Sequence, residues 1–155
     1  MADGVFNISK GKVAELAARV VANDPANSAI HVELAFGAAT DATIKDYDDL
    51  SALLGDAGVD IATFTNYTDK QETAPTVTVD DSGDKMDVDM PDQTWTSAGN
   101  GTNNTLTRLF VCYDGDTGAG TDSNIVPLTF HDFAVTTDGS DLTAQFNSQG
   151  FFSAS

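Results

Sequence analysis

Apolar positions recur along this chain in two rhythms, a helical one near the start and a two-residue one through most of the remainder. Val13, Leu16, Ala17, Val20 and Val21 fall at i, i+3, i+4, i+7 and i+8, the one-faced stripe of an amphipathic helix. Ser9 is placed to cap that helix. Asn23-Asp24-Pro25 ends it, because proline disfavours helical geometry in the residue before it. From Ser28 the period becomes two: Ile30, Val32, Leu34 and Phe36 point one way and Ala29, His31, Glu33 and Ala35 the other. That pattern predicts a strand with one buried face. After a turn over 37–43, Tyr47, Leu50, Leu53 and Leu54 share the face of a second, shorter helix. Asp46 is its expected cap, Asp48 and Asp49 lie where the macrodipole favours acids, and Gly55 closes it.

From Asp60 onward the β rhythm holds. Strands are predicted over 61–67, over 76–79 and 86–90 as a hairpin across a Gly-containing turn, and over 93–97 around the only tryptophan, Trp95. Leu109-Phe110-Val111-Cys112-Tyr113 is an unbroken apolar run with turn chemistry on both sides. It reads as the central strand, buried on both faces. Further strands are expected over 125–135, bulged or near an edge at Pro127, and over 142–146. Residues 150–155 form a last short strand or a docking tail.

The sum is a mainly β, α+β chain: an antiparallel β-sandwich or barrel-like domain with two helices in the N-terminal third. One domain, 1–155, is expected from the length. Its ends, 1–8 and 147–155, are candidates for extended arms contacting neighbours, with Val5, Phe6, Ile8, Phe151 and Phe152 as the contact residues.

Charge changes the functional picture more than the fold. Twenty-four acids against seven bases give −17, and 21 of the acids are Asp, a residue of turns and caps. Phosphate binding needs clustered Lys and Arg, so nucleic acid is excluded as a partner, and an anionic membrane surface with it. A solvated exterior, a basic protein partner or divalent cations remain compatible. The single cysteine, Cys112, reads as a small buried apolar residue. Met-Ala-Asp-Gly-Val-Phe lacks the pattern of a signal peptide, no apolar run approaches a membrane span, and synthesis in a cytoplasm is expected.

No catalytic constellation emerges, and no cofactor. His31 and His131 stand far apart, His131 and Asp132 alternate across a strand, and there is no nucleophile elbow, Gly-rich phosphate cradle or Cys/His metal spacing. An enzyme would require His131 to meet an acid and a nucleophile in a cleft. The loop from Asp114 to Asp122 offers Asp114, Asp116 and Asp122 as a calcium candidate. It departs from the helix-loop-helix pattern, with Gly118 and Ala119 at the fifth and sixth positions and no closing Glu. A glycan-binding module would stack sugars on Trp95, Tyr67 and Tyr113, provided Trp95 is exposed.

Several stretches, in order along nearly the whole chain, are similar to a family of small structural proteins of tailed bacteriophages. They are Val5-Phe-Asn-Ile-Ser-Lys-Gly11, Asn23-Asp-Pro-Ala-Asn-Ser28, Asp41-Ala-Thr-Ile-Lys-Asp-Tyr-Asp-Asp-Leu50, Ala62-Thr-Phe-Thr-Asn-Tyr67 and Asp92-Gln-Thr-Trp-Thr-Ser-Ala98. The segment from Phe130 to Asp141 is similar as well. The resemblance implies a non-enzymatic virion protein, a capsid decoration (minor capsid) protein on the exterior of the head. Its implied partners are the major capsid protein and copies of itself, a trimer being favoured. A tail or neck component, or a host-glycan-binding module of the virion, is the alternative.

Overall fold

The computed structural model describes residues 3–118, 120–147 and 149–155, and among these it contains eleven strands and three α-helices. In chain order they are β1 (Gly4–Val5), α1 (Val13–Ala22), β2 (Ala29–Phe36), α2 (Asp41–Ile44), α3 (Leu50–Leu54), β3 (Asp60–Ile61), β4 (Lys70–Glu72) and β5 (Thr76–Asp80). They continue as β6 (Lys85–Asp89), β7 (Gln93–Trp95), β8 (Thr105–Asp114), β9 (Val126–Thr136), β10 (Leu142–Ala144) and β11 (Phe152–Ala154). The protein is mainly β, its sheets are antiparallel, and its α-helices lie in the first third or close to it.

The main sheet runs β1-β9-β8-β2-β3, with β4 also on the outer edge of β2. β8 is therefore the centre, as its apolar run predicts. Its partner β2 is in register from Ala29↔Asp114 to Ala35↔Arg108. On one face, Ile30, Val32 and Leu34 join Leu106, Leu109 and Val111 under a cover of α1, Val88, Trp95, Leu142 and Phe151. This cover includes the two small sheets, β10-β7 and β11-β6-β5, which gives the sandwich-like build. On the opposite face, Phe110, Cys112 and Ala35 pack with Phe6, Phe130, Ile44, Leu50 and Leu53. Phe6 meets Phe110 and Phe130 edge-on, at centroid distances of 6.1 and 5.4 Å. Pro127 sits opposite Cys112 where the β8–β9 ladder shifts register, so it lies at a bulge.

Several local expectations change. β2 is buried on both faces, not one, because α2 and α3 cover the side carrying His31 and Glu33. α1 begins at Val13: Gly11 takes a left-handed φ of 80°, and a short 3-10 turn at Asn7–Ser9 precedes it. Ser9 does not cap it but turns inward, fully buried, and donates its hydroxyl to the Pro127 carbonyl at 2.6 Å. Asn23 ends the helix in left-handed geometry. The expected second helix is two: α2, capped by Thr40, occupies the predicted turn, and Asp49, not Asp46, caps α3. Of residues 61–67 only Ile61 lies in a strand, the Ala62 amide adds a bond to the Leu34 carbonyl, and Asn66 turns the chain at φ 71°.

The Asp49 cap carries a simple test. Its Oδ1 accepts the Ala52 amide at 2.8 Å, so Asp49→Ala is expected to cost about 1 kcal/mol. Thermal unfolding should then shift down by roughly 2–4 °C.

Both ends are fastened to the body. β1 pairs with β9 through Gly4↔Phe130 and Val5↔Thr129, and β11 pairs with β6 through Phe152↔Val88 to Ala154↔Met86. Met1, Ala2, Ala119 and Ser148, parts of the expected arms and of the expected calcium loop, lie outside the described residues.

Candidate functional site

The alternation of β2 places His31 and Glu33 side by side on the face covered by α2 and α3, opposite Cys112 and Phe110. Both are buried, at 6% and 5% exposed, and a buried charge needs a partner. His31 Nε2 lies 2.9 Å from Glu33 Oε2, and Nδ1 lies 3.5 Å from Asp69 Oδ2. The Tyr67 hydroxyl donates a short hydrogen bond to Glu33 Oε1 and accepts the Leu34 amide at 3.0 Å. Leu34 lies at the gap on β2's outer edge, between β3 on Ala35 and Phe36 and β4 on residues 30–32. Tyr67 thus closes a break in the sheet with a side chain. Together these groups fasten residues 62–72 to the main sheet beside a cleft of about 440 Å³, bordered by Leu54, Ile61 and Asp122.

Burial depresses the basicity of His31, but the hydrogen bond and charge of Glu33, then the charges of Asp69 and Asp114, outweigh it and raise the pKa above the ordinary value. Burial and Glu33 push the Tyr67 phenol upward, and burial does the same to the Cys112 thiol, which is fully enclosed and inert as a nucleophile. A histidine raised on folding stabilises the fold fully below its unfolded pKa, about 6.5, and that contribution fades as pH rises through the higher folded value. His31→Gln should therefore lose more stability relative to the parent chain at mildly acidic pH than at alkaline pH. Urea unfolding across that range checks it.

His131 behaves oppositely. Burial lowers its pKa, against the pull of Asp3, whose Oδ2 is 3.4 Å from Nδ1. Nε2 lies 2.9 Å from the Thr129 hydroxyl. Acid, imidazole and hydroxyl therefore meet at the edge of a cleft of about 390 Å³ between β9 and the C-terminal segment. Thr129 is only 2% exposed, which leaves little approach for a substrate carbonyl, and the Asp3 side chain is 67% exposed where a triad acid orients from a buried position. The trio ties β1 to β9, with the Asp132 amide donating to Asp3 at 2.9 Å.

The sequence candidates scatter. Asp114 and Asp116 line one small cleft with Gly120 and Asn124, while Asp122 lines the His31 cleft, so the three carboxylates do not converge. Instead Asp114 and Asp116 brace their own loop, accepting the amides of Asp116 and Gly118 at 3.0 Å each. Among the described residues, no group of three His, Cys, Asp or Glu is placed to hold a metal ion. Trp95 is 1% exposed and Tyr113 8%, so neither offers a ring to a sugar, which removes the stacking platform of a glycan module. Of the contact candidates, Phe6 (0% exposed) and Phe151 (5%) are spent in the chain's own core, while Val5, Ile8 and Phe152 are half-buried.

Arg108 had no assigned role in the sequence reading. Only 3% exposed, it pairs with Asp41 at 2.8 Å, donates to the Ala39 carbonyl at 2.9 Å and lies over the Phe130 ring. It anchors the start of α2 on the central strand. A lone cation next to an apolar run was the available signal. Among the described residues, no helix is long and apolar enough to cross a membrane. Comparisons of the chain with protein-family models, curated proteins and solved structures find no match.

Proposed function

We propose that this chain is a non-enzymatic structural protein of a tailed-phage virion, a decoration protein seated on the exterior of the head. The observation that carries the reading is the distribution of charge. Of seven cationic side chains, Arg108 is buried against Asp41, Arg19 is paired with Glu15 and Lys85 with Asp87, while the acids crowd exposed turns of a −17 chain. Such a surface is repelled by packaged phosphate and suits a position outside the shell. The resemblance of 41–50, 62–67 and 92–98 to phage structural proteins supports the same role. The major capsid protein is the partner, with copies of this chain, in a trimer, around it. Gold-labelled antibody against the chain should decorate the heads of intact virions. Label confined to tails or necks would overturn the decoration role, and absence of label and of the chain from purified virions would overturn the virion role altogether.

A further inference from the structure

Among the described residues, three large apolar side chains are conspicuously exposed: Val79 at 69%, Val21 at 56% and Ile61 at 38%. Two of them border β5. That strand is the last in the β11-β6-β5 sheet, so among the described residues one of its long edges has no strand beside it. Its neighbours across the sheet are set by register: Val77↔Val88↔Phe152 form one row, and Val79↔Met86↔Ala154 the row two residues further on. Both rows lie on one face by the alternation of strands. The first row reaches the core, where Val88 is fully buried, and the second overhangs it. Beside the strand, Val21, Ala18 and Pro75 line a shallow apolar depression that ends at Val77.

Open edges of this kind are usually blunted by lysine, a bulge or a covering element. β5 reads Thr-Val-Thr-Val-Asp, its ladder with β6 is in unbroken register, and α1, which packs against it, leaves Thr76, Thr78 and Val79 exposed. Both ends are acidic. Asp80, Asp81 and Asp84 surround the hairpin tip, Glu72 lies just before the strand, and the nearby Lys85 is held by Asp87 at 2.7 Å.

We propose that β5 is a docking edge that receives an extended, cationic segment of a partner protein as an added strand. The segment's alternate apolar side chains would cover Val79 and Val77, and its Lys or Arg residues would meet Asp80, Asp81 and Asp84. Charge selects this occupant over a second copy. A parallel pairing of two β5 strands sets tip against tip, and an antiparallel one sets the tip near Glu72, acid against acid in both cases. The surface is read from β5 alone, and only the partner's identity, the shell protein, rests on the proposed function.

The test is titration of the full, isotope-labelled chain with an acetylated peptide of alternating valine and threonine flanked by lysines, followed by amide resonances. Saturable shifts confined to β5 and the end of α1 are expected, weakening with added salt. Val79→Lys, at an exposed position that leaves the core intact, should weaken binding by about tenfold or more, and Asp81→Asn with Asp84→Asn should flatten the salt dependence. No shifts at β5, or undiminished binding by Val79→Lys, would overturn the docking edge. Self-association through β5 that Val79→Lys abolishes would overturn the cationic occupant in favour of a second copy. Heads that bind the chain normally after Val79→Lys would overturn the shell protein as the partner at this edge while leaving decoration intact.

Discussion

Replacing Trp95 with alanine is expected to remove about 3–5 kcal/mol of stability, the range for emptying a large buried aromatic site. The indole is 1% exposed and joins the short β7 strand to the residues just before β4. It sits on β7, a three-residue strand paired only with the equally short β10. Its Nε1–H donates to the Thr68 carbonyl at 2.7 Å, and the Lys70 ammonium lies 5.5 Å from the ring centroid. Losing it opens a cavity under the main sheet and removes one tie on the segment that carries Tyr67 and Asp69, which β4 and Glu33 still hold to β2. Trp95→Phe keeps most of the volume and loses the hydrogen bond, so a cost nearer 1 kcal/mol is expected beyond packing changes. Denaturant unfolding of both variants separates the two contributions. A Trp95→Ala midpoint close to the parent's would contradict the packing described for this face.

Glu33→Ala should be comparably damaging, at about 3–5 kcal/mol, but for an electrostatic reason. Glu33 serves both His31 and Tyr67, so its removal strands a buried imidazole and a phenol whose other bond goes to Leu34. The control is the double replacement His31→Leu with Glu33→Leu. Buried ion pairs exchanged for apolar residues are often neutral or stabilising, so the double variant should recover much of what the single one loses. Equal losses in the two variants would mean that Glu33 acts through packing rather than through its pairing with His31.

The contrast between these two residues shows what the sequence made legible. Alternating or continuous apolar runs identified β2, the β5–β6 hairpin and the central β8, because burial on a sheet leaves a two-residue trace. α1 was equally plain from its stripe. The second face of β2 was not, since His31 and Glu33 mimic a solvated side and only their pairing with each other, Tyr67 and Asp69 makes burial tolerable. β4 left no trace at all: Lys70-Gln71-Glu72 carries no apolar period and joins the sheet through its backbone, on β2. Ser9 has the look of a helix cap, yet its hydroxyl donates to the Pro127 carbonyl at the β8–β9 bulge, a partner 118 positions away. The scatter of Asp114, Asp116 and Asp122 follows the same rule. Side chains close along the chain part at the 3-10 turn over Asp122–Asn124, where Asp122 joins the lining of the His31 cleft.

On the proposed decoration role, the acidic exterior and the exposed β5 edge would face a larger, more basic surface. The measurement that tests that proposal most directly is co-sedimentation of the purified chain with heads of a tailed phage that encodes it, prepared without it. Saturable binding at a fixed ratio to the major capsid protein is predicted, weakening as salt is raised. Heads that sediment free of the chain at every concentration and ionic strength would contradict the account.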